Sequence, residues 1–148
     1  MSATVIEPGQ VVARRRWLRR LAVVAIVGIY PLWVLAYVYW HSLASGLPGG
    51  RHGPQDAYRH TLASAVVAYT LSPAVVNWVS AVMEFADDPS SEMDRHNNAI
   101  GASIGAEAQS FAEIRPRVEQ RVRAGQIDAR DPRRVTWMPP RQWRALPL

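Results

Sequence analysis

From Leu21 to Trp40 the chain reads LAVVAIVGIYPLWVLAYVYW, 20 residues without a charge. At 1.5 Å rise per residue a helix of that length covers about 30 Å, the thickness of a bilayer hydrocarbon core. Residues 21–40 therefore read as a transmembrane signal-anchor helix. Pro31 lies inside the run, where a membrane helix tolerates proline by local compensation of the lost backbone bond, so a kink is expected near Tyr30–Pro31. Trp33, Tyr37, Tyr39 and Trp40 crowd the second half, where aromatic rings favour the headgroup boundary.

RRRWLRR precedes this run and HSLASGLPGGR follows it. The positive-inside bias then makes 1–20 a basic cytoplasmic N-terminus and places the remainder outside the inner (cytoplasmic) membrane in a single-pass topology. Two other readings compete. A cleaved signal peptide would use the small residues of Ser42-Leu43-Ala44, although the apolar run exceeds a usual h-region. A core helix of a soluble protein would have to accommodate the arginines stacked at one end.

The formal charge of +5 suggests nucleic acid until it is divided along the chain. Residues 1–48 carry five arginines against Glu7, and residues 49–148 carry twelve arginines against eleven acids, so most of the excess belongs to the anchor. A nucleic-acid-binding function loses its main support. With no cysteine, disulfides, thiolate nucleophiles and cysteine-rich zinc sites are excluded. Any metal, whether Zn²⁺, Mn²⁺ or Ca²⁺, must be held by imidazole nitrogen and carboxylate or amide oxygen.

Residues 41–54 read as a Gly/Pro linker, because Ser45–Pro54 (SGLPGGRHGP) holds four glycines and two prolines. The remaining 55–148 form the second domain, read as helical. Residues 56–69 read as a helix with Leu62, Val66 and Tyr69 on one stripe. Ser72-Pro73 then supplies a cap and a first-turn proline for a helix over 73–84. The apolar run 61–83 raises a second membrane span, against which stand its hydroxyl residues, Asn77 and the Ser72-Pro73 break. Ser90 or Ser91 is expected to cap a third helix over 92–106, whose Gly101 and Gly105 suggest close helix packing. Ser110-Phe111-Ala112-Glu113 matches a capping box, opening a fourth helix to Ala124 with Phe111, Ile114, Val118 and Val122 on one face. Pro116 in its second turn implies a kink. Beyond Ile127 four prolines and two tryptophans suggest extended structure, with Trp137 and Trp143 as packing anchors. The expected fold is thus mainly α: one N-terminal transmembrane helix, then a compact bundle of about four helices with an extended Pro/Trp-rich C-terminal tail.

Residues able to do chemistry fall in three pieces: Asp56 to His60, then Glu84, then Glu92 to Asn98. Asp56 and His60 are four apart and so project from one helix face, as do Asp94 and Asn98. Asp56, His60 and Asp94 are candidate metal ligands. Asp56, His60, Glu84, Asp94 and His96 are candidate ligands or general bases around a metal-bound water. Arg59, Asn97 and Asn98 would bind or orient substrate. Simpler roles compete: Asp56 as a helix cap, His60 as a buried histidine holding Asp56, Arg59 and Arg95 as ion-pair partners, Glu84 as a helix end, Asp87 and Asp88 as solvated turn residues. Two consecutive asparagines cost helix propensity, which points to a use for their side chains. A serine nucleophile, Ser64 or Ser103, is disfavoured because no Gly-x-Ser-x-Gly elbow is expected.

GPQDAYRH, a helical hairpin ending in Glu84, and MDRHNNAIGASIG together resemble a domain of bacterial and phage proteins that also forms C-terminal modules of some large secreted toxins. Asp56, Arg59, His60, Glu84, Asp94, His96, Asn97, Asn98 and Gly101 match its pattern over roughly residues 53–125, although the second helix here is more apolar. The resemblance implies one helical domain with a polar cluster and an envelope or toxin-like role. The expected function is a membrane-anchored, metal-assisted hydrolase of a cell-envelope component. Its rival is a non-catalytic envelope accessory or partner-binding protein whose Asp-His-Asn cluster is a structural network.

Overall fold

The computed structural model describes residues 8–83, 88–127 and 131–145. It is mainly helical. Helix α1 (Pro8–Val24) passes through a π segment (Ala25–Ile29) into α2 (Tyr30–Ala44). Pro31 offers no N–H to the carbonyl of Val27 and crowds it with its ring, and a wider π turn accommodates both defects. The irregularity expected at Tyr30–Pro31 thus sits one turn earlier, as a π segment. Arg14–Ala44, with 31 residues, is long and apolar enough to cross a membrane, its most apolar 18-residue window having a mean hydropathy of 2.3. Only 12% of its apolar window is buried, the opposite of a soluble core helix.

The described chain divides into two units, one through Leu35 and one from Ala36. The second takes in the last turns of α2, α3 (Pro54–Thr70), α4 (Pro73–Met83), α5 (Pro89–Glu107) and α6 (Phe111–Arg123). Two short strands, β1 (Gln126–Ile127) and β2 (Thr136–Trp137), pair in parallel, and a 3₁₀ turn (Pro140–Gln142) follows. Helix α3 is the central element and packs on α4, α5 and α6. Its Tyr58, Leu62 and Val66 form the main core with Ile114, Val118 and Val122 of α6 and Val135 of the tail, all fully buried. Tyr69, expected on the same stripe, lies partly exposed at the edge.

Local chemistry sets the helix ends. Ser72 accepts from the Val75 N–H at 3.4 Å, and Pro73 opens α4 as expected. Helix α5 starts earlier than expected because Asp88, not Ser90 or Ser91, is its cap, accepting from both serine N–H groups at 2.9 and 3.1 Å. Asp88 is thus no solvated turn residue. Hydrogen bonds from the Ser90 hydroxyl first, then from Ser91, lower its pKa to about 2. At α6, Glu113 reaches back to the Gln109 N–H at 3.4 Å, and the Ser110 hydroxyl meets Glu113, not a helix N–H. Ser110 is the N-cap as expected, but neither hydrogen bond of the expected box forms. The helix runs through Pro116 to Arg123.

The stretch read as a linker is a packed loop. α2 continues to Ala44, Ser42 is fully buried, and Gly46, Gly49 and His52 take positive φ. Gly49 and Gly53 approach so closely that a Cβ on Gly53 would lie 2.6 Å from the Gly49 Cα. The tail closes over this loop: Arg51 bridges Arg144, the Met138 N–H donates to the His52 carbonyl at 2.8 Å, and Trp143 donates to the Met138 carbonyl. Trp137 lies over Gly125 and Trp143 over Gly49, so both tryptophans act as packing anchors.

Candidate functional site

The α3–α5 contact places the chemistry. Gly101 faces the Thr61 carbonyl and Gly105 the Ala65 carbonyl, where an added Cβ would lie at 2.3 and 2.2 Å. Small residues let the two backbones touch. Because equivalent steps along both helices stay in register, Asp94 comes opposite His60 and Asn98 opposite Ser64.

Asp56 is buried and divides its carboxylate between two tasks. Oδ2 accepts from the His52 N–H at 2.6 Å, tying down the start of α3. Oδ1 faces the interior, 2.5 Å from Arg59 Nη2 and 3.7 Å from His60 Nε2. Asp56 is thus not the cap of α3, which is Gly53 without a side-chain hydrogen bond; it ties the loop before the helix instead. Arg59 is buried too; it also donates to the Gly50 carbonyl and lies 5.6 Å from the Tyr39 ring centroid. That geometry makes it a positioning group for Asp56 and the loop.

His60 Nε2 lies 3.4 Å from Asp94 Oδ2, and one ligand atom from each of Asp56, His60 and Asp94 falls within 4.8 Å of the others. Separations of 3.4 and 3.7 Å exceed good hydrogen-bond lengths. They approach the edge of about 3.4 Å between ligands of a tetrahedral ion bound at about 2.0–2.1 Å. Both His60 and Asp94 are partly exposed, so a water or substrate can reach them.

The remaining expected residues separate by role. Asn97 is fully buried; its amide donates to the Thr136 carbonyl at 2.8 Å and accepts the Thr136 N–H at 3.0 Å, a two-point clamp on β2. His96 Nε2 pairs with the Arg134 carbonyl at 2.7 Å. Both therefore hold the tail instead of facing Asp56 and His60. Asn98 accepts from the Ser64 hydroxyl at 2.9 Å and lines the groove beside His60. Glu84 and Asp87 lie outside the described residues. The loop groups His52 and Gly50, and Tyr39 on α2, were not signalled by any local pattern.

A Gly-x-Ser-x-Gly match does occur, at Gly101-Ala102-Ser103-Ile104-Gly105, against the expectation that there is none. It lies within continuous α5, not on a strand-to-helix turn. Ser103 is exposed and donates to Glu107 at 2.8 Å, while the glycines serve helix packing.

His60, Ser64 and Asn98 form the polar end of a groove of about 200 Å³ between α3, α4 and α5, whose other walls include Val67, Val76 and Val79. Of Asp56, His60 and Asp94 only His60 lines this groove, and a larger cavity of about 430 Å³, bounded by His52, Asp88, Arg141 and Trp143, is lined by none of the three. The chemistry favours the smaller one. Comparison with protein-family models, with curated proteins and with solved structures found no match.

Proposed function

We propose that this chain is a membrane-anchored, metal-assisted hydrolase facing the periplasm or cell exterior, acting on a cell-envelope component. The carrying observation is the convergence of Asp56, His60 and Asp94, from helices far apart in sequence, at ligand-like separations beside a groove. A divalent cation held by these three would lower the pKa of a bound water. One of the carboxylates would take the proton as hydroxide adds to a carbonyl or phosphoryl centre, and that proton would pass to the leaving alcohol. Asn98 would orient the substrate, and Arg59 would hold Asp56 in place. The resemblance to the bacterial and phage domain bears only on a helical domain with a polar cluster and an envelope or toxin-like role, and the arginine-rich flank favours a cytoplasmic N-terminus.

The test is hydrolysis of ester and phosphoester substrates by the full chain in detergent. Activity abolished by chelation and by His60→Ala, but restored to wild type by added metal, supports the proposal. Activity indifferent to both overturns it. The rival structural reading draws on one observation, that Asp56 already accepts from Arg59 and from the His52 N–H. It expects His60→Ala to lower stability without changing metal content.

A further inference from the structure

We infer that the outer face of α4 lies in the headgroup and acyl boundary of the same bilayer that the chain's own apolar helix enters. Thr70–Met83 carries no charge. Leu71, Trp78, Val79 and Val82 are exposed, Trp78 by 68%, while Val76 on the opposite side packs on Ala68 and Ala102. Such a face on a protein surface marks contact with a partner or a membrane. Trp at its centre favours the lipid boundary.

The occupant follows from where the second unit attaches. It begins at Ala36, inside the apolar run, and the last turns of α2 are two-faced: Val38 and Ser42 are buried, whereas Tyr39, Trp40 and Leu43 are exposed. The first turns of α3 touch this end of α2, with Gln55 donating to the Ser42 carbonyl at 3.2 Å and Arg59 near the Tyr39 ring. An aromatic chain then runs from Tyr37 to Phe111 at 5.4 Å and on to Tyr69 at 6.1 Å, one turn before α4 begins. The α3–α4 turn is thereby tied to the level of Tyr37, at the end of the apolar run. A bilayer that reaches Tyr37 and Trp40, the part of the run inside the second unit, meets the turn and α4.

The contact stands whatever chemistry the cluster performs. Its consequence for substrate rests on the proposed function: a lipid ester or phosphoester would place its acyl chain between Val67, Val76 and Val79 and its head beside His60.

The cysteine-free chain permits unique labelling. Leu71→Cys, Trp78→Cys and Val82→Cys, with Gln120→Cys on exposed α6 as reference, would each carry a nitroxide in the full chain in phosphatidylcholine–phosphatidylglycerol vesicles. The expected result is an oxygen-to-nickel-chelate accessibility ratio several-fold higher at 71, 78 and 82 than at 120, at boundary depth. Ratios equal to that at 120 overturn the inference, as does spin–spin broadening between copies, which would assign the face to a second chain. A label at 82 reaching the bilayer centre also overturns it, in favour of a second span. None of these readings depends on metal or activity, so failure here and failure of the hydrolase reading are distinguishable.

Discussion

Gly101→Ala tests the contact on which the site depends. The new methyl would lie 2.3 Å from the Thr61 carbonyl oxygen and 2.8 Å from the Ser64 Cβ. The first falls 0.7 Å short of the 3.0 Å that real Cβ contacts respect, and the obstacle is backbone, which cannot swing aside. Alanine gains about 1 kcal/mol of helix propensity over glycine. Overpacking against a fixed neighbour costs about 1–3 kcal/mol and occasionally more, so the clash should win. At about 4–8 °C per kcal/mol for a domain of this size, the melting temperature should fall by several degrees in a far-UV circular dichroism scan of the full chain. Relief by separating α3 from α5 would also stretch the 3.4 Å gap between His60 and Asp94, so metal affinity should fall with stability. Gly28→Ala, with nothing within 4 Å of the added methyl, is the control. An unchanged or raised melting temperature in Gly101→Ala would refute the close approach.

Asn97→Ala removes two hydrogen bonds from the buried Thr136 backbone and should cost about 2–6 kcal/mol, at roughly 1–3 kcal/mol for each unsatisfied group. Limited proteolysis should then cut within 131–145 while metal binding persists; loss of metal with an intact tail would contradict the division of roles. Asp88 has its pKa lowered from 3.8 to about 2, so its cap stabilises α5 above the unfolded value and is lost as pH falls through the folded one. Melting curves of wild type and Asp88→Ala should therefore converge across that window. Tyr58, raised to about 12 by burial first and the Glu119 charge second, with Arg115 opposing, should be missing from the tyrosine absorbance titration near pH 10. Its contribution to stability is complete below the unfolded pKa and disappears as pH rises through about 12. A Tyr58→Phe variant that still lacks one tyrosine signal would refute the assignment.

Legibility in the sequence followed the range of the physics. Helix stripes are local, so Leu62, Val66, Ile114, Val118 and Val122 were placed in the core from their spacing. Caps are local but competitive: Asp88 and Gly53-Pro54 displaced later starts because each precedes a proline suited to a first turn. The two glycines of α5 could be read as packing devices, yet only the fold showed that α3 is their partner. Asp56 and His60 share a face by spacing, whereas Asp94 joins them through a tertiary contact no periodicity encodes. Asn97 and His96 had evident cost in a helix, but their partners Thr136 and Arg134 lie in a tail without a regular period. Glycine content misled over residues 45–53, since positive φ and close approach demand the same residue as freedom does.

Calorimetric titration of the metal-stripped full chain in detergent with Zn²⁺ and with Mn²⁺ decides whether Asp56, His60 and Asp94 hold an ion. Saturable binding of one ion per chain is expected, lost in His60→Ala and in Asp94→Asn but retained in Asn97→Ala. Absence of stoichiometric binding in the wild-type chain, or binding that survives both substitutions, would contradict it.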